Sequence, residues 1–277
     1  EHGLEPHRIV RLLHVLGAKK AEPSSQIFVS THSPVVIREL AHHQLSIVRS
    51  VDSALSIQTP DKASQGQLRS NAEAFLAKSV IVCEGATEVG FVRGLDLHRS
   101  DQEQPTMAAA GAVAIDAGGV NKLYAAASKF QALGYRVAVL RDDDKQPDSG
   151  DELAVLDNGG RVFRWSDGAA IEDEIFSAVS DDPVRALVAH ACEFADGGKA
   201  TIEAHIVEKA GESIDLDAWL TDLNAGKREI LASASKAKKA AWFKRIDWME
   251  TATRETLADD LFSHESEMRS KAQELID

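Results

Sequence analysis

Glu84 and Glu88 are the first side chains whose type and spacing could do chemistry. The apolar run 80–83 predicts a strand buried on both faces, so Glu84 stands at its carboxyl end, where ligands bind in open α/β sheets. Gly85 permits a sharp turn into a helix, which would place Glu88 in the first helical turn, close to Glu84. Both carboxylates would then face one crevice. Taken alone, the pair also fits two surface acids favoured by the helix dipole.

A second acidic group favours a shared site. The apolar run 137–140 predicts another buried strand, which leads into Asp142, Asp143 and Asp144. Residues two apart on extended backbone point the same way, so Asp142 and Asp144 are predicted to project together while Asp143 points elsewhere. Three adjacent carboxylates after an apolar strand are unfavourable unless a cation or a basic partner neutralises them. An Asp-rich surface turn is the alternative.

A third acidic group, Glu172, Asp173 and Glu174, opens a predicted helix after Ile171. The helix dipole alone favours acids there, so a metal-binding role for at least one of them is one of two interpretations. Carboxylate oxygens with retained waters are the ligands that Mg²⁺ and Mn²⁺ prefer. Two such ions, roughly 3.5–4 Å apart, can activate water and stabilise the leaving oxygen of a phosphodiester.

The elements around these acids alternate between strand and helix. Helices are predicted over about 87–98, 120–133 and 151–156, and strands over about 79–83, 113–115, 135–140 and 161–165. Such alternation predicts an α/β fold with a parallel sheet covered by helices. After Ile171 nearly all of the sequence is predicted to be helical, with breaks at Asp182-Pro183, Gly197-Gly198, Gly211 and Gly226.

The N-terminal segment has a different pattern. It predicts a helix over about 4–16, a strand at 26–30, a helix capped by Ser33 with Pro34 in its first turn, and short strands at 45–49 and 54–58. The polar stretch 59–66 is predicted to be a boundary.

Composition narrows the class of protein. The chain has 277 residues and a net charge of −13, which argues against a surface that coats nucleic acid directly, although an acidic site that recruits cations can still act on phosphodiesters. Two cysteines, no apolar window of eighteen residues and no signal-peptide pattern predict a cytoplasmic protein that does not span a membrane.

The order of the motifs resembles the Toprim domain of topoisomerases, primases and several nucleases. The segment 84–88 (Glu-Gly-x-Thr-Glu) after one strand, Gly118-Gly119 after a second, and Asp142-x-Asp144 after a third carry the resemblance, which covers about 78–180. In that family the first glutamate and the two aspartates gather divalent metal, and the glycine pair turns the chain beside the site. Asp116 lies near this turn, where a capping role is expected.

The first residues resemble a different family. The segment 1–7 is similar to the stretch after the Walker B acids of an ABC-type ATPase, and 28–34 is similar to its switch-histidine loop, which implies that His32 senses the γ-phosphate. No phosphate-binding G-x-x-x-x-G-K-[ST] loop occurs in these residues, so this chain is not expected to hydrolyse ATP by itself. ATP would act only in the complete protein.

An ABC-type ATPase followed directly by a Toprim domain resembles the OLD (overcoming lysogenization defect) nucleases. That resemblance implies metal-dependent DNA cleavage, a third acidic group that Glu172 matches best, and a lysine further along the chain. Seven basic residues and one acid lie between Lys227 and Arg245. They are either a solvated basic face or part of the site, and Lys244, next to Trp242-Phe243 that could hold its stem, is our choice, with Lys239 close behind.

Taken together, the sequence predicts a metal-dependent DNA endonuclease with a two-metal mechanism that uses Mg²⁺ or Mn²⁺. The catalytic residues would be Glu84, Asp142 and Lys244, and a homodimer is expected for the full-length protein. The predicted order is an ABC-type ATPase fragment at 1–60, a Toprim domain at 78–180, and a helical region at 181–277 that packs on it. The predicted metal ligands are Glu84, Glu88, Asp142, Asp144, Glu172 and Glu174.

Other activities fit less well. A topoisomerase needs a presented tyrosine, but Tyr124 falls inside a predicted helix and Tyr135 opens a strand. A primase is disfavoured because the sequence lacks a set of zinc-binding cysteines. The alternative from another class is a non-catalytic dimerisation or partner-binding arm of an ABC-type ATPase, in which the acidic cluster is residual.

Overall fold

The computed structural model describes residues 3–20, 25–51, 54–236 and 242–277. Its centre is a sheet of four parallel strands in the order β4-β3-β5-β6. These strands are β3 (Ser79–Cys83), β4 (Ala112–Asp116), β5 (Arg136–Arg141) and β6 (Arg161–Arg164), and a separate antiparallel hairpin is formed by β1 (Ile47–Val51) and β2 (Ala54–Gln58). The predicted α/β class with a parallel sheet is confirmed.

Helices connect the strands and make up most of the rest of the chain. Those before and within the sheet are α1 (Pro6–Val15), α2 (Pro34–Glu39), α3 (Gln65–Ser70), α4 (Ala86–Asp101), α5 (Met107–Ala110), α6 (Val120–Ala132) and α7 (Ser149–Asp157). Those after it are α8 (Ile171–Ala178), α9 (Asp181–Phe194), α10 (Gly198–Ala210), α11 (Leu216–Trp219), α12 (Ala225–Lys236), α13 (Ile246–Ala252), α14 (Ala258–Ser263) and α15 (Glu267–Ile276). Short 3₁₀ turns lie at 42–44, 62–64 and 72–76, and a π-helical turn at 253–257 joins α13 to α14.

The register brings three strand ends to one edge of the sheet. Cys83 pairs with Asp116 on one side and with Leu140 on the other, so β3, β4 and β5 finish level with one another. The residues that follow these strands therefore meet at the carboxyl edge, as the sequence pattern requires for a shared site.

Both faces of the sheet are covered, which explains its continuous apolar strands. Val80 and Val82 belong to a cluster with Leu123 and Phe130 of α6, whereas Ile81 and Cys83 belong to a larger cluster formed with the helices after β6. Side chains at alternate positions of β3 thus pack into two separate hydrophobic cores. The helical region after Ile171, predicted from the sequence, supplies most of the second core.

Two predictions about individual elements are wrong. The run 26–30 forms no strand, and Ile27, Phe28 and Val29 are exposed, because no described strand lies beside it to supply backbone hydrogen bonds. The helical breaks near Pro183 and Gly226 also shift: both residues lie in the first turns of helices, α9 and α12, where a proline is tolerated and the chain has just entered the helix.

No helix in the described parts of the chain is long and apolar enough to cross a membrane.

The helix that follows β3 packs unusually closely on the C-terminal region. A Cβ atom added to Gly90 would lie 2.6 Å from Cβ of Met249, and one added to Gly94 would lie 2.5 Å from Cβ of Thr253 and 2.7 Å from the backbone oxygen of Glu250. Only glycine permits this approach of α4 to α13 and the π-helical turn. The contact fixes α4, which carries Glu88, against the C-terminal helices.

Replacing Gly94 by alanine should therefore destabilise the protein. The new methyl group meets backbone as well as side-chain atoms, so we expect a loss of about 2 kcal/mol despite the better helix propensity of alanine. The melting temperature should fall by roughly 4–8 °C. Gly66→Ala is the matched control, because Gly66 lies in α3 and no atom lies within 4 Å of an added Cβ. Equal melting temperatures for both variants would contradict the close packing.

Candidate metal centre

Glu84 lies at the carboxyl edge, held by backbone contacts on both sides. Its N–H donates to the oxygen of Leu140 (3.0 Å), and its backbone oxygen accepts from the N–H of Gly119 (2.8 Å). Gly118 and Gly119 have φ values of +78° and +107°, a conformation that favours glycine, so the glycine pair turns the chain directly beside Glu84.

Glu88 lies in the first turn of α4 and is only 4% exposed. Its Oε2 accepts a hydrogen bond from the N–H of Gly85 (2.8 Å), which closes the start of the helix. The side chain thus combines a helix-capping contact with a position facing the other acids. The close pairing of Glu84 and Glu88 that the sequence suggested is reflected in their electrostatic interaction.

The three aspartates after β5 separate into different environments. Asp142 is half-buried, and its Oδ1 accepts from the N–H of Ile171 (2.9 Å). Asp144 is exposed, and its charge acts on both Glu84 and Asp142. Asp143 is 5% exposed and lies 3.0 Å from the guanidinium of Arg141. Asp142 and Asp144 therefore belong to one electrostatic group, while Asp143 has a basic partner of its own.

The members of the third acidic group also lie in different environments. Glu172 is 3% exposed and interacts electrostatically with Glu88 and Asp142, so it joins the cluster. Glu174 is held elsewhere, since its Oε1 accepts from the N–H of Ser166 (2.5 Å). Asp173 caps α8 through the N–H of Ala170 and binds Lys236 at 2.6 Å. Glu172 thus shares the environment of the cluster, whereas the carboxylate of Glu174 is bound to the backbone N–H of Ser166.

Crowding and burial shift the acidity of the cluster. Burial, with the nearby charge of Glu172 as the next cause, raises the pKa of Asp142 to about 8. Burial and the charge of Asp142 raise the pKa of Glu88 well above its ordinary value. Burial also raises the pKa of Glu84, with Asp144 adding to the effect, and the pKa of Glu172. A nearby cation would stabilise the ionised form of each of these carboxylates.

The donor set fits a hard divalent cation in its chemistry. Glu84 Oε2 is buried and has no hydrogen-bond partner, which leaves one carboxylate oxygen available to a ligand. Within the described residues, no three acidic, histidine or cysteine side chains are already arranged at metal-ligand spacing. The acids share one electrostatic environment, but their side chains would have to rotate to bind one ion together.

Lysines lie on the Glu172 side of the cluster. Burial raises the pKa of Glu172, and the charges of Lys244 and Lys236 partly offset this rise. Lys244 is exposed and its Nζ donates to the backbone oxygen of Lys236 (3.3 Å), whereas Lys236 is paired with Asp173. Lys239 lies outside the described residues.

The aromatic residues next to Lys244 do not hold its stem, contrary to the sequence-based interpretation. Trp242 and Phe243 are 2% and 1% exposed and pack on Phe176 of α8 with ring centroids 6.4 Å away. They anchor the segment in the core, and the hydroxyl of Thr87 in α4 donates to the backbone oxygen of Phe243 (3.3 Å). The aromatics thereby fix Lys244 through the backbone.

The remaining candidates lie apart from this cluster. His32 is exposed and precedes α2, and the first two residues of the ATPase-like segment 1–7 lie outside the described residues. Asp116 caps the glycine turn, since its Oδ1 accepts from the N–H of Gly118 (2.6 Å). Tyr124 is buried and its hydroxyl donates to Glu152 (2.5 Å). A tyrosine held in this way is not presented to DNA.

Sequence reasoning missed the basic partner of the aspartate triplet. Arg141 is 1% exposed, and its guanidinium lies 3.0 Å from Asp143 and 3.2 Å from Glu152. The available signal was an arginine placed directly between an apolar strand and three acids, which indicates a buried neutralising charge.

The parallel sheet, the glycine turn and the acids at its carboxyl edge define a Toprim-type α/β domain. Residues 75–144 match the family described as "Overcoming lysogenization defect protein-like, TOPRIM domain". This stretch is therefore similar to an OLD-like TOPRIM domain, in agreement with the motifs, and the similarity indicates a nuclease-type role.

Solved structures with a similar chain path include C-terminal regions of OLD proteins. That of Xanthomonas campestris pv. campestris has 16% identity and a TM-score of 0.34, with 70% of this chain and 100% of that chain covered. That of Burkholderia pseudomallei has 17% identity and a TM-score of 0.33, with 66% and 99% covered. No curated protein matches the chain.

Proposed function

We propose that this chain is a metal-dependent DNA endonuclease, the nuclease part of an ATPase-nuclease. One observation carries the proposal: Glu84, Glu88, Asp142 and Glu172, from three separate parts of the sheet edge, lie in one acidic cluster, and burial, as the largest cause, raises the pKa of each. An arrangement that disfavours its own charges is suited to binding cations.

The proposed ligands for Mg²⁺ or Mn²⁺ are Glu84, Glu88, Asp142, Asp144 and Glu172. When bound, two such ions would lower the pKa of the attacking water and neutralise charge on the leaving oxygen of a phosphodiester. Glu174 is left out of this set because its carboxylate holds the N–H of Ser166.

The chain's own residues would orient the DNA. The side chain of Lys244, on the Glu172 side of the cluster, is exposed and suited to contact a phosphate oxygen next to the scissile bond. Lys236 supports that position through its backbone oxygen, which accepts from Lys244. Positive charge on this side offsets the repulsion between DNA and a chain of net charge −13.

The division of the chain belongs to the same proposal. Residues 1–60 would be the end of an ABC-type ATPase, with His32 acting at the nucleotide only in the complete protein, and 78–180 and 181–277 would be the Toprim domain and its helical region. A homodimer of the full-length protein is part of this proposal.

Cleavage of supercoiled plasmid DNA tests the activity. The protein should nick or linearise the plasmid with Mg²⁺ or Mn²⁺ but not with EDTA, and Glu84→Gln should lose at least about 10²-fold of that rate, because it removes a carboxylate whose Oε2 has no other partner. Asp157→Asn, an exposed change in the same domain, is the matched control. Absence of cleavage with either metal at high protein concentration would favour the non-catalytic arm instead.

A further inference from the structure

A buried ion-pair network adjoins the acidic cluster. The Nη1 atom of Arg141 lies 3.0 Å from Oδ1 of Asp143 and donates to the backbone oxygen of Asp142 (2.7 Å). Its Nη2 atom lies 3.2 Å from Oε2 of Glu152, which also accepts from the hydroxyl of Tyr124 (2.5 Å). The network therefore ties the end of β5 to α6 and α7.

Asp143 extends the network to the turn that precedes α8. Its Oδ2 accepts from the N–H of Gly168 (3.0 Å), and its own N–H donates to the oxygen of Ala169 (2.9 Å). A further bond runs from the N–H of Ile171 to Asp142 (2.9 Å). Three hydrogen bonds thus join the aspartate turn to the residues directly before Glu172.

Burying the charges of Arg141 and Asp143 costs free energy of hydration. Asp143 and Arg141 are 5% and 1% exposed, and a buried ion pair adds little net stability because both charges lose their hydration. In some proteins such pairs fix geometry, and removing groups that orient ligand side chains typically changes metal affinity by about 10–100-fold.

We propose that Asp143 is a positioning residue that holds Asp142 and Glu172 in a fixed relation to each other, by joining the turn after β5 to the turn before α8. Arg141 neutralises Asp143 and aligns it. The physical link between the two turns stands by itself, whereas its effect on metal binding rests on the proposed function.

Two variants and one control test the link. Asp143→Ala removes the acceptor for Gly168 and the partner of Arg141, whereas Asp143→Asn keeps an acceptor and removes only the charge. Asp167→Ala is the matched control, because Asp167 is an exposed acid in the same turn. Amide hydrogen exchange and binding of Mn²⁺, followed by the EPR signal of the free ion, would be measured on the whole chain.

In Asp143→Ala, amides at 142–144 and 168–171 should exchange about tenfold faster, the effect of one lost hydrogen bond, while those of α9 and α10 stay unchanged. Mn²⁺ affinity should weaken by about 10–100-fold, with Asp143→Asn showing a smaller loss and Asp167→Ala none.

The possible failures are distinguishable. Unchanged exchange at 168–171, or faster exchange spread evenly over the chain, would overturn the link. Unchanged Mn²⁺ affinity in Asp143→Ala, with tight binding by the original chain, would overturn the positioning role. If local amide exchange rises as expected but the original chain binds no Mn²⁺, the link between the two turns is supported and only the proposed function is contradicted.

Discussion

Glu172→Gln is expected to reduce metal-dependent DNA cleavage by about 10³-fold, while Glu174→Gln retains most of the activity. Glu172 lies in the cluster and is 3% exposed, so glutamine there removes a charge that balances the cations, an effect of about 4 kcal/mol on the transition state. Glutamine at 174 can still accept from the N–H of Ser166, which keeps the turn before α8 intact.

The two variants are matched in chemistry and differ by two positions in one helical turn. Initial rates of plasmid nicking at saturating Mn²⁺ would separate them, with circular dichroism to confirm that both fold. A large loss in Glu174→Gln with little change in Glu172→Gln would exchange their roles and invalidate the ligand set proposed above.

The metal-free protein is expected to lose stability as pH rises from about 5 to 8. The pKa of Asp142 is raised to about 8, and those of Glu84, Glu88 and Glu172 are also raised, so in this window the folded state binds more protons than the unfolded state. The free energy of unfolding then falls with pH, by about 1.4 kcal/mol per pH unit for each extra proton bound.

Urea titrations in EDTA at a series of pH values would measure this slope. Asp142→Asn removes one of the crowded charges and should flatten the slope and raise stability at pH 8, whereas Asp157→Asn, on the exposed end of α7, should follow the original curve. Stability that increases from pH 5 to 8 in the original chain would mean that burial and neighbouring charges do not raise the pKa values of these acids in the folded state.

Much of the sheet and its edge could be predicted from local patterns. The apolar runs 80–83 and 137–140 predict strands, and in a parallel sheet their carboxyl ends meet at one edge, which places Glu84 near Asp142. The turn at Gly118-Gly119 is implied by the Toprim resemblance, and both glycines adopt positive φ values.

The divided roles of neighbouring acids could not be predicted in this way. Strand alternation indicates only that Asp143 points away from Asp142, and it says nothing of Arg141 or of the turn at 168–171, which is distant in sequence. Glu172 and Glu174 are likewise of one residue type and lie in the first turn of one helix. Their difference arises from one backbone contact, at Ser166, which depends on tertiary structure.

For the run 26–30, local patterns predict an element that the structure does not contain. Its apolar, β-favouring residues predict a strand, yet a strand exists only where a neighbour accepts its backbone hydrogen bonds, and no described strand does so. Local propensity was therefore sufficient for the buried strands of the sheet and insufficient for this exposed segment.

The glycine-mediated contact of α4 also bears on how the molecule matures during biosynthesis. Gly90 meets Met249 and Gly94 meets Thr253, so each contact joins positions 159 apart in the chain. Contacts of such separation form late, because a long intervening loop must close first. On the ribosome, β3 to β5 emerge well before α13, and the helix bearing Glu88 settles only after α13 has been synthesised. A chain that ends before α13 would thus lack the packing partner of the helix that carries Glu88.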